Sequence, residues 1–194
     1  MSTSRKLFDV NVMKMKHQRA KKLGSVDFID IFVINHALEI LSDINREFNV
    51  SAVIGKKAEF WARGLKLEKA TLLKSSDTLD FKNETFDLII HAFSLHCCND
   101  PVGQLIQVRK ALKPDGLMLA FCFGGESLRE LRDSFETAEI MIENGISPRV
   151  SPMIKIKDAG DLLVRAGFSL SVADKTDLEI NYKLPINLIY DLRG

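Results

Sequence analysis

The chain reads as an α/β domain with a mostly parallel sheet, preceded by helices. Three observations lead there. Helical spacing of apolar residues persists from Val26 to Phe48; short apolar runs then take over at Val50–Ile54, Phe86–Ala92 and Leu117–Phe123; and a helical stretch joins the last two runs. A strand, a helix and a second buried strand in that order form a right-handed crossover between parallel strands.

Composition bounds the alternatives. A chain of 194 residues suits one domain, and 46% hydrophobic residues supply a real core, which excludes wholesale disorder. A net charge of +1 argues against a dedicated nucleic-acid binder. No uncharged apolar run approaches the roughly 18 residues that a membrane span requires. Cys97 and Cys98 are adjacent and Cys122 stands apart, so the cysteines make neither a disulfide framework nor a zinc site, and no metal is expected. A reducing, cytoplasmic setting follows.

Residues 1–22 are basic: Arg5, Lys6, Lys14, Lys16, Arg19, Lys21 and Lys22 stand against Asp9. Phe8, Val12, Met15 and Arg19 recur at helical spacing, so a solvated basic helix packed by one thin stripe is preferred over a targeting sequence or a phosphate-binding arm. A second helix covers Val26–Phe48. Residues 1–49 thus form a helical extension, and residues 50–194 the α/β domain.

Val50–Ile54, ending at Gly55, reads as a buried strand, Ala58–Leu65 as a short helix and Ala70–Leu73 as another short strand. Phe86–Ala92 is a stronger strand because it has few polar breaks. Asn99 and Asp100 offer an N-cap with Pro101 at the first helical position, and Lys113-Pro114-Asp115-Gly116 breaks the helix that follows. Leu117–Phe123, the most apolar segment, reads as a central strand with Cys122 in the core. A long helix follows from Ser127 to Glu143. Asp158 caps a short helix ending at Ala166, with Gly167 just past it. Phe168–Ala173 and Leu178–Tyr182 are expected to pair as antiparallel strands, and Ile186–Leu192 as a last helix.

A mostly parallel sheet finishing in an antiparallel pair resembles the Rossmann-like sheet of class I S-adenosylmethionine-dependent methyltransferases. Specific residues carry the resemblance: Phe86-Asp87-Leu88-Ile89-Ile90, Ser94-Leu95-His96, Asn99-Asp100 and Ala111-Leu112-Lys113-Pro114-Asp115-Gly116. Phe123-Gly124-Gly125-Glu126-Ser127-Leu128, Ser147-Pro148-Arg149-Val150-Ser151-Pro152 and Arg165-Ala166-Gly167-Phe168 narrow it further. They resemble the methyltransferase-like assembly factors of respiratory complex I and the related malonyl-carrier-protein methyltransferase of biotin synthesis. The resemblance implies S-adenosylmethionine as cofactor and, as partner, a respiratory-complex subunit or an acyl carrier. It also allows a variant chemistry, since one mitochondrial relative is linked to arginine hydroxylation.

The match is poor from Val50 to Leu79, where such a fold binds its cofactor. The turn Ile54-Gly55-Lys56-Lys57-Ala58 has one glycine where the family pattern expects two, and its lysines carry the wrong charge for a sulfonium. Ser75 falls at the adenine-facing position, Ser94 and His96 follow the next strand, and no acidic residue is placed for the ribose. About 36 residues separate Val50 from Phe86, whereas a single strand–helix–strand unit takes roughly 30, so about one strand–helix unit is missing.

The site residues implied are Gly55, Ser75, Ser94 and His96 for the cofactor. Arg132 and Arg149 can hold a carboxylate of a substrate or partner, or form ion pairs with Glu126, Glu130 or Glu139. His96 reads as a general base or, preferably, a loop residue. No catalytic residue is assigned. Two functions follow: methyl transfer to a protein or to a carrier-bound acyl group, or a non-catalytic scaffold, a pseudoenzyme, that kept the protein-facing half. The degraded segment favours the scaffold and predicts weak or no cofactor binding.

Overall fold

A computed structural model describes residues 6–24 and 26–193. Arg5 and Gly194, used above, lie outside the described residues. Two helices, α1 (Val10–Leu23) and α2 (Phe28–Asp43), precede β1 (Ser51–Gly55), α3 (Ala58–Gly64), β2 (Thr71–Leu73) and β3 (Phe86–Ala92). A 3₁₀ turn at Leu95–Cys97 leads to α4 (Pro101–Ala111), β4 (Leu112–Phe121), α5 (Arg129–Glu143), α6 (Ile156–Arg165) and α7 (Pro185–Asp191).

The sheet has the order β2-β1-β3-β4, and every pairing is parallel. β1 and β3 lie in the middle, and every residue of both is buried. Alternation along them divides the core into two layers. Val53, Leu88 and Ile90 pack with Ile34 and Ala37 of α2 and Trp61 of α3. Ala52, Ile54 and Ile89 face Val108 and Ala111 of α4. Burial on both faces is why these strands are continuous apolar runs, each large side chain contributing about 1.5–3 kcal/mol. No helix intervenes between β2 and β3, which flank β1 on opposite sides. Four parallel strands with one crossover helix absent agree with the short Val50–Phe86 spacing.

Local chemistry explains the joints. Asp87 in β3 accepts from Val50 N (2.9 Å), Asn49 N (3.2 Å) and Lys113 Nζ (2.9 Å), tying together the start of β1 and the irregular start of β4. The Lys113 bond, then the backbone donors, hold its carboxyl below the usual carboxylate range. Asp100 caps α4 by accepting from Gly103 N at 2.8 Å, with Pro101 in the first turn. Gly167, at φ +83°, ends the α6 region as expected.

Four expectations need correction. The antiparallel pair does not form: Phe168–Ala173 and Leu178–Tyr182 carry no strand, and Leu170 and Val172 are 99% and 84% exposed. Neither segment bonds to the free edge of β4, and a lone two-stranded hairpin is marginal in water. For the same reason β4 is an edge strand, not a central one. Its residues from Gly116 to Phe121 are only half-buried, and Cys122 lies just beyond it, also half-buried. The inward side of α1 carries Met13, His17 and Ala20 rather than Val12, Met15 and Arg19. Asp9 caps α1 through Asn11 N and Val12 N, and Asn99 grips the Phe8 backbone, so docking rather than hydrophobicity sets the helix's rotation. Finally, Asp158 does not cap α6. It sits in the first turn, where a carboxylate suits the helix dipole.

Candidate functional site

In a parallel sheet all carboxyl ends share one side, and ligands bind there where neighbouring strands connect in opposite directions. Here that point lies between β1 and β3. Gly55 ends β1 beside Ala92, the last residue of β3. A Cβ on Gly55 would lie 2.5 Å from the Ala92 carbonyl oxygen, so the glycine is required for the two strands to approach.

Lys57, in the turn that follows, points back to α2. Its Nζ donates to Val26 O (2.9 Å), Asp27 Oδ1 (2.8 Å) and Asp30 Oδ2 (2.7 Å). The hydrogen bonds to these two carboxylates outweigh partial burial and hold the ammonium pKa above its ordinary value. Asp30, itself buried, also accepts from Trp61 Nε1 at 2.7 Å. Trp61 packs against Phe93 and Phe121, Phe93 stacks on Phe123 at 4.8 Å, and His96 meets Phe123 edge-on at 5.3 Å. An aromatic wall therefore lines the ends of β3 and β4.

A buried polar chain runs behind it. Gln104 Nε2 donates to Ser76 O (2.6 Å) and Ser75 Oγ (3.3 Å), so its Oε1 is left to accept from His91 Nε2 at 2.7 Å. His91 Nδ1 then accepts from Ser94 Oγ at 3.2 Å. Burial lowers the His91 pKa to about 4, against the opposing pull of the Gln104 bond, so the ring is neutral at pH 7. Ser75 and Ser94, both expected in the site, are joined through His91 and Gln104, which sequence reasoning left unassigned. The signal for them was present: one polar residue inside an apolar strand, and one amide on the face of α4 that carries Leu105 and Val108.

His96 lies in the turn after β3. Burial first, then Lys56 and His91, lower its pKa to about 4, and its Nδ1 is buried without a partner. Burial raises all three cysteine thiols, so none is a ready thiolate. Arg132 donates to Gly125 O (3.5 Å) and Ser127 O (3.3 Å), bracing the loop after β4. Arg149 bonds to Glu139, which also accepts from Ser147 N (2.7 Å) and Ser147 Oγ (2.6 Å). The Ser147 bonds, ahead of the arginine, lower the Glu139 carboxyl to about 2. The structure thus gathers Gly55, Ser75, Ser94 and His96 at the strand ends and pairs Arg149 with Glu139 on α5.

A parallel α/β sheet of this order, with its polar groups at the carboxyl ends, is a Rossmann-like sheet of the methyltransferase kind. The fold matches the crystal structure of an S-adenosylmethionine-dependent methyltransferase from Aquifex aeolicus with TM-score 0.51 and 16% identity, over 78% of this chain and 87% of that one. Residues 56–120 match the family described as methyltransferase domain. The chain is thus similar to class I S-adenosylmethionine-dependent methyltransferases in sequence over residues 56–120 and shares their Rossmann-like fold.

Among curated relatives, the mitochondrial arginine-hydroxylase NDUFAF5 of Homo sapiens is 41% identical over 124 residues, covering 64% of this chain and 36% of that protein. The malonyl-acyl-carrier-protein O-methyltransferase of Methylovorus is 30% identical over 110 residues, covering 57% of this chain and 35% of that protein. The chain spans little more than a third of the length of these relatives.

Proposed function

We propose that this chain is a methyltransferase-fold protein whose cofactor segment has degenerated and which acts by binding a protein partner, in the manner of a respiratory-complex assembly factor. The observation that carries the reading is the first turn. The one glycine of that turn, Gly55, is taken up by the close approach of β1 to the Ala92 carbonyl of β3, and no second glycine follows it. Lys57 is committed to Asp27 and Asp30, Lys56 adds a further cation, and the aromatic wall of Phe93 and Phe123 closes over the end of β3. These residues do not suit a sulfonium cofactor, and among the described residues β2 runs into Lys74-Ser75-Ser76, with no carboxylate at its end for the ribose.

Arg132 and Arg149 lie on the half of the chain proposed to face the partner. The Arg149 side chain is about half exposed, which leaves it able to meet a partner carboxylate beside its bond to Glu139. A protein of the respiratory chain is the partner favoured by the resemblance to complex I assembly factors; the malonyl-carrier relative makes an acyl carrier the alternative. No helix among the described residues is long and apolar enough to cross a membrane. A reducing compartment suits the three free cysteines; the human relative's name places that protein in mitochondria.

Calorimetric titration with S-adenosylmethionine tests the cofactor half of the reading and is expected to give no saturable binding. A micromolar dissociation constant would overturn it and favour an active methyltransferase on a carrier-bound acyl group. Affinity capture with the full chain tests the partner half. Recovery of neither a respiratory-complex subunit nor an acyl carrier would count against it.

A further inference from the structure

Two helices of opposite charge carry apolar stripes that the fold leaves uncovered. α1 turns Met13, His17 and Ala20 inward, and none of its residues is fully buried. Its other side presents Val12, Met15, Arg19 and Leu23 at helical spacing, with Met15 66% and Leu23 59% exposed. At its far end this stripe meets a hollow of about 370 Å³ bounded by Leu23, Val26 and Tyr190 of α7.

α5 carries the second stripe. Among its described residues Glu139 alone is buried, held by Ser147 and Arg149. Leu131, Phe135, Ala138 and Ile142 follow one another at helical spacing, and Ile142 is 81% exposed. A groove of about 340 Å³ runs along this side, lined in part by Phe135, Ala138, Ile142 and Glu143.

Charge selects what covers these faces. α1 has five cations and no acid, whereas α5 has five carboxylates against two arginines. Lys16 and Lys22 stand on either side of the α1 stripe. Glu136 and Glu143, two turns apart, lie on one side of α5, with Glu143 at the groove itself. None of these four has an ion-pair partner among the described residues. Two copies of α1 repel one another, as do two copies of α5, but α1 attracts α5. The helices also match in length, with 14 and 15 residues, or about 21–23 Å each.

We propose that the chain associates with a second copy of itself, α1 of each copy lying along the α5 groove of the other. The contact covers both apolar stripes and brings Lys16 and Lys22 to the side of Glu136 and Glu143. A two-fold axis makes the contact twice and leaves neither face open. α1 stays docked on its own chain, because the side it offers is the one already turned outward. Neither helix supplies a residue of the β1 turn, so this inference goes beyond the cofactor reading and does not rest on it.

Light scattering of the full chain over a range of concentrations is the test. The mass should rise from the 21.8 kDa of one copy towards twice that value. Lys16→Glu with Lys22→Glu, and separately Glu136→Lys with Glu143→Lys, should each weaken association by about tenfold or more, because like charges then face one another. Lys157→Glu on α6 should leave it unchanged. An equimolar mixture of the two double variants should associate again, since α1 of one and α5 of the other keep their original charges. Circular dichroism establishes that each variant is folded, and a merely structural effect would not be rescued by mixing. A single-copy mass at every concentration overturns the inference and leaves the two faces to other proteins. Association unchanged in both double variants, or no recovery on mixing, overturns it as well. Saturable binding of S-adenosylmethionine would instead overturn the degenerate-cofactor reading, so the two can fail separately.

Discussion

His91 Nε2 lies 2.7 Å from Gln104 Oε1, a bond that joins the end of β3 to the first turn of α4 and decides which ring nitrogen carries the proton. Because Gln104 Nε2 donates to Ser75 and Ser76, the same amide also fastens the segment leaving β2. One side chain therefore secures the β2–β3 connection where a crossover helix is lacking.

Replacing Gln104 with Leu keeps the volume but leaves the His91 N–H and the Ser76 carbonyl without partners. Stability should fall by about 2 kcal/mol, the cost of stranding buried polar groups, read as a lower urea midpoint with an unchanged slope. A loss smaller than that of an exposed control such as Gln18→Leu would remove the fastening role.

The two depressed histidines make stability pH-dependent. His91 and His96 titrate at about 4 in the folded chain, below the ordinary value of about 6.5 that holds when unfolded. As pH falls through 6.5, the unfolded chain takes up protons first. The stabilisation is therefore complete above about pH 6.5 and is lost progressively towards pH 4, at up to about 1.4 kcal/mol per pH unit for each histidine. Denaturation series between those limits should show a shallower dependence for His96→Phe than for the parent chain.

Asp30 is the hinge of α2 on the site, since Trp61 Nε1 and Lys57 Nζ both lie 2.7 Å from its carboxylate. Asp30→Ala should destabilise by about 2 kcal/mol, discounted from the value for a fully buried pair because Lys57 remains partly solvated. Asp30→Asn keeps the bond to Trp61 and should lose less. The chain has a single tryptophan, so its emission reports the change directly, with a red shift expected for Ala and little for Asn.

Gly55→Ala sets a methyl against the Ala92 carbonyl at 2.5 Å, and backbone cannot step aside as a flexible side chain does. A loss of about 2–3 kcal/mol is expected from overpacking between the two central strands, seen as a lower melting temperature. A neutral result would mean that β1 and β3 can separate enough to admit the methyl.

Much of the architecture was legible because it rests on local rules. The buried runs of β1 and β3, the Asp100–Pro101 start of α4 and the left-handed Gly167 are each decided within a few residues of chain. Ser75, Ser94 and His96 were expected at the strand ends only through the family resemblance. The failures lie where a partner distant in sequence decides the outcome. Leu170 and Val172 have strand-like alternation, but a strand forms only when it bonds to a neighbour, and this segment does not reach the edge of β4. The α1 stripe was misread because Asn99, far along the chain, sets how that helix docks.

Amphipathic spacing and turn chemistry determined by themselves that this chain builds a parallel α/β sheet with helices before it, and that its first turn lacks a second glycine. Only the tertiary structure decided what occupies that turn. It turned Lys57 to Asp30, set Gly55 against the Ala92 carbonyl, and placed His91 between Gln104 and Ser94. Periodicity reports which face of an element is buried, but hydrogen bonds and charge pairs depend on which groups meet across the fold, and that is fixed by strand order and register.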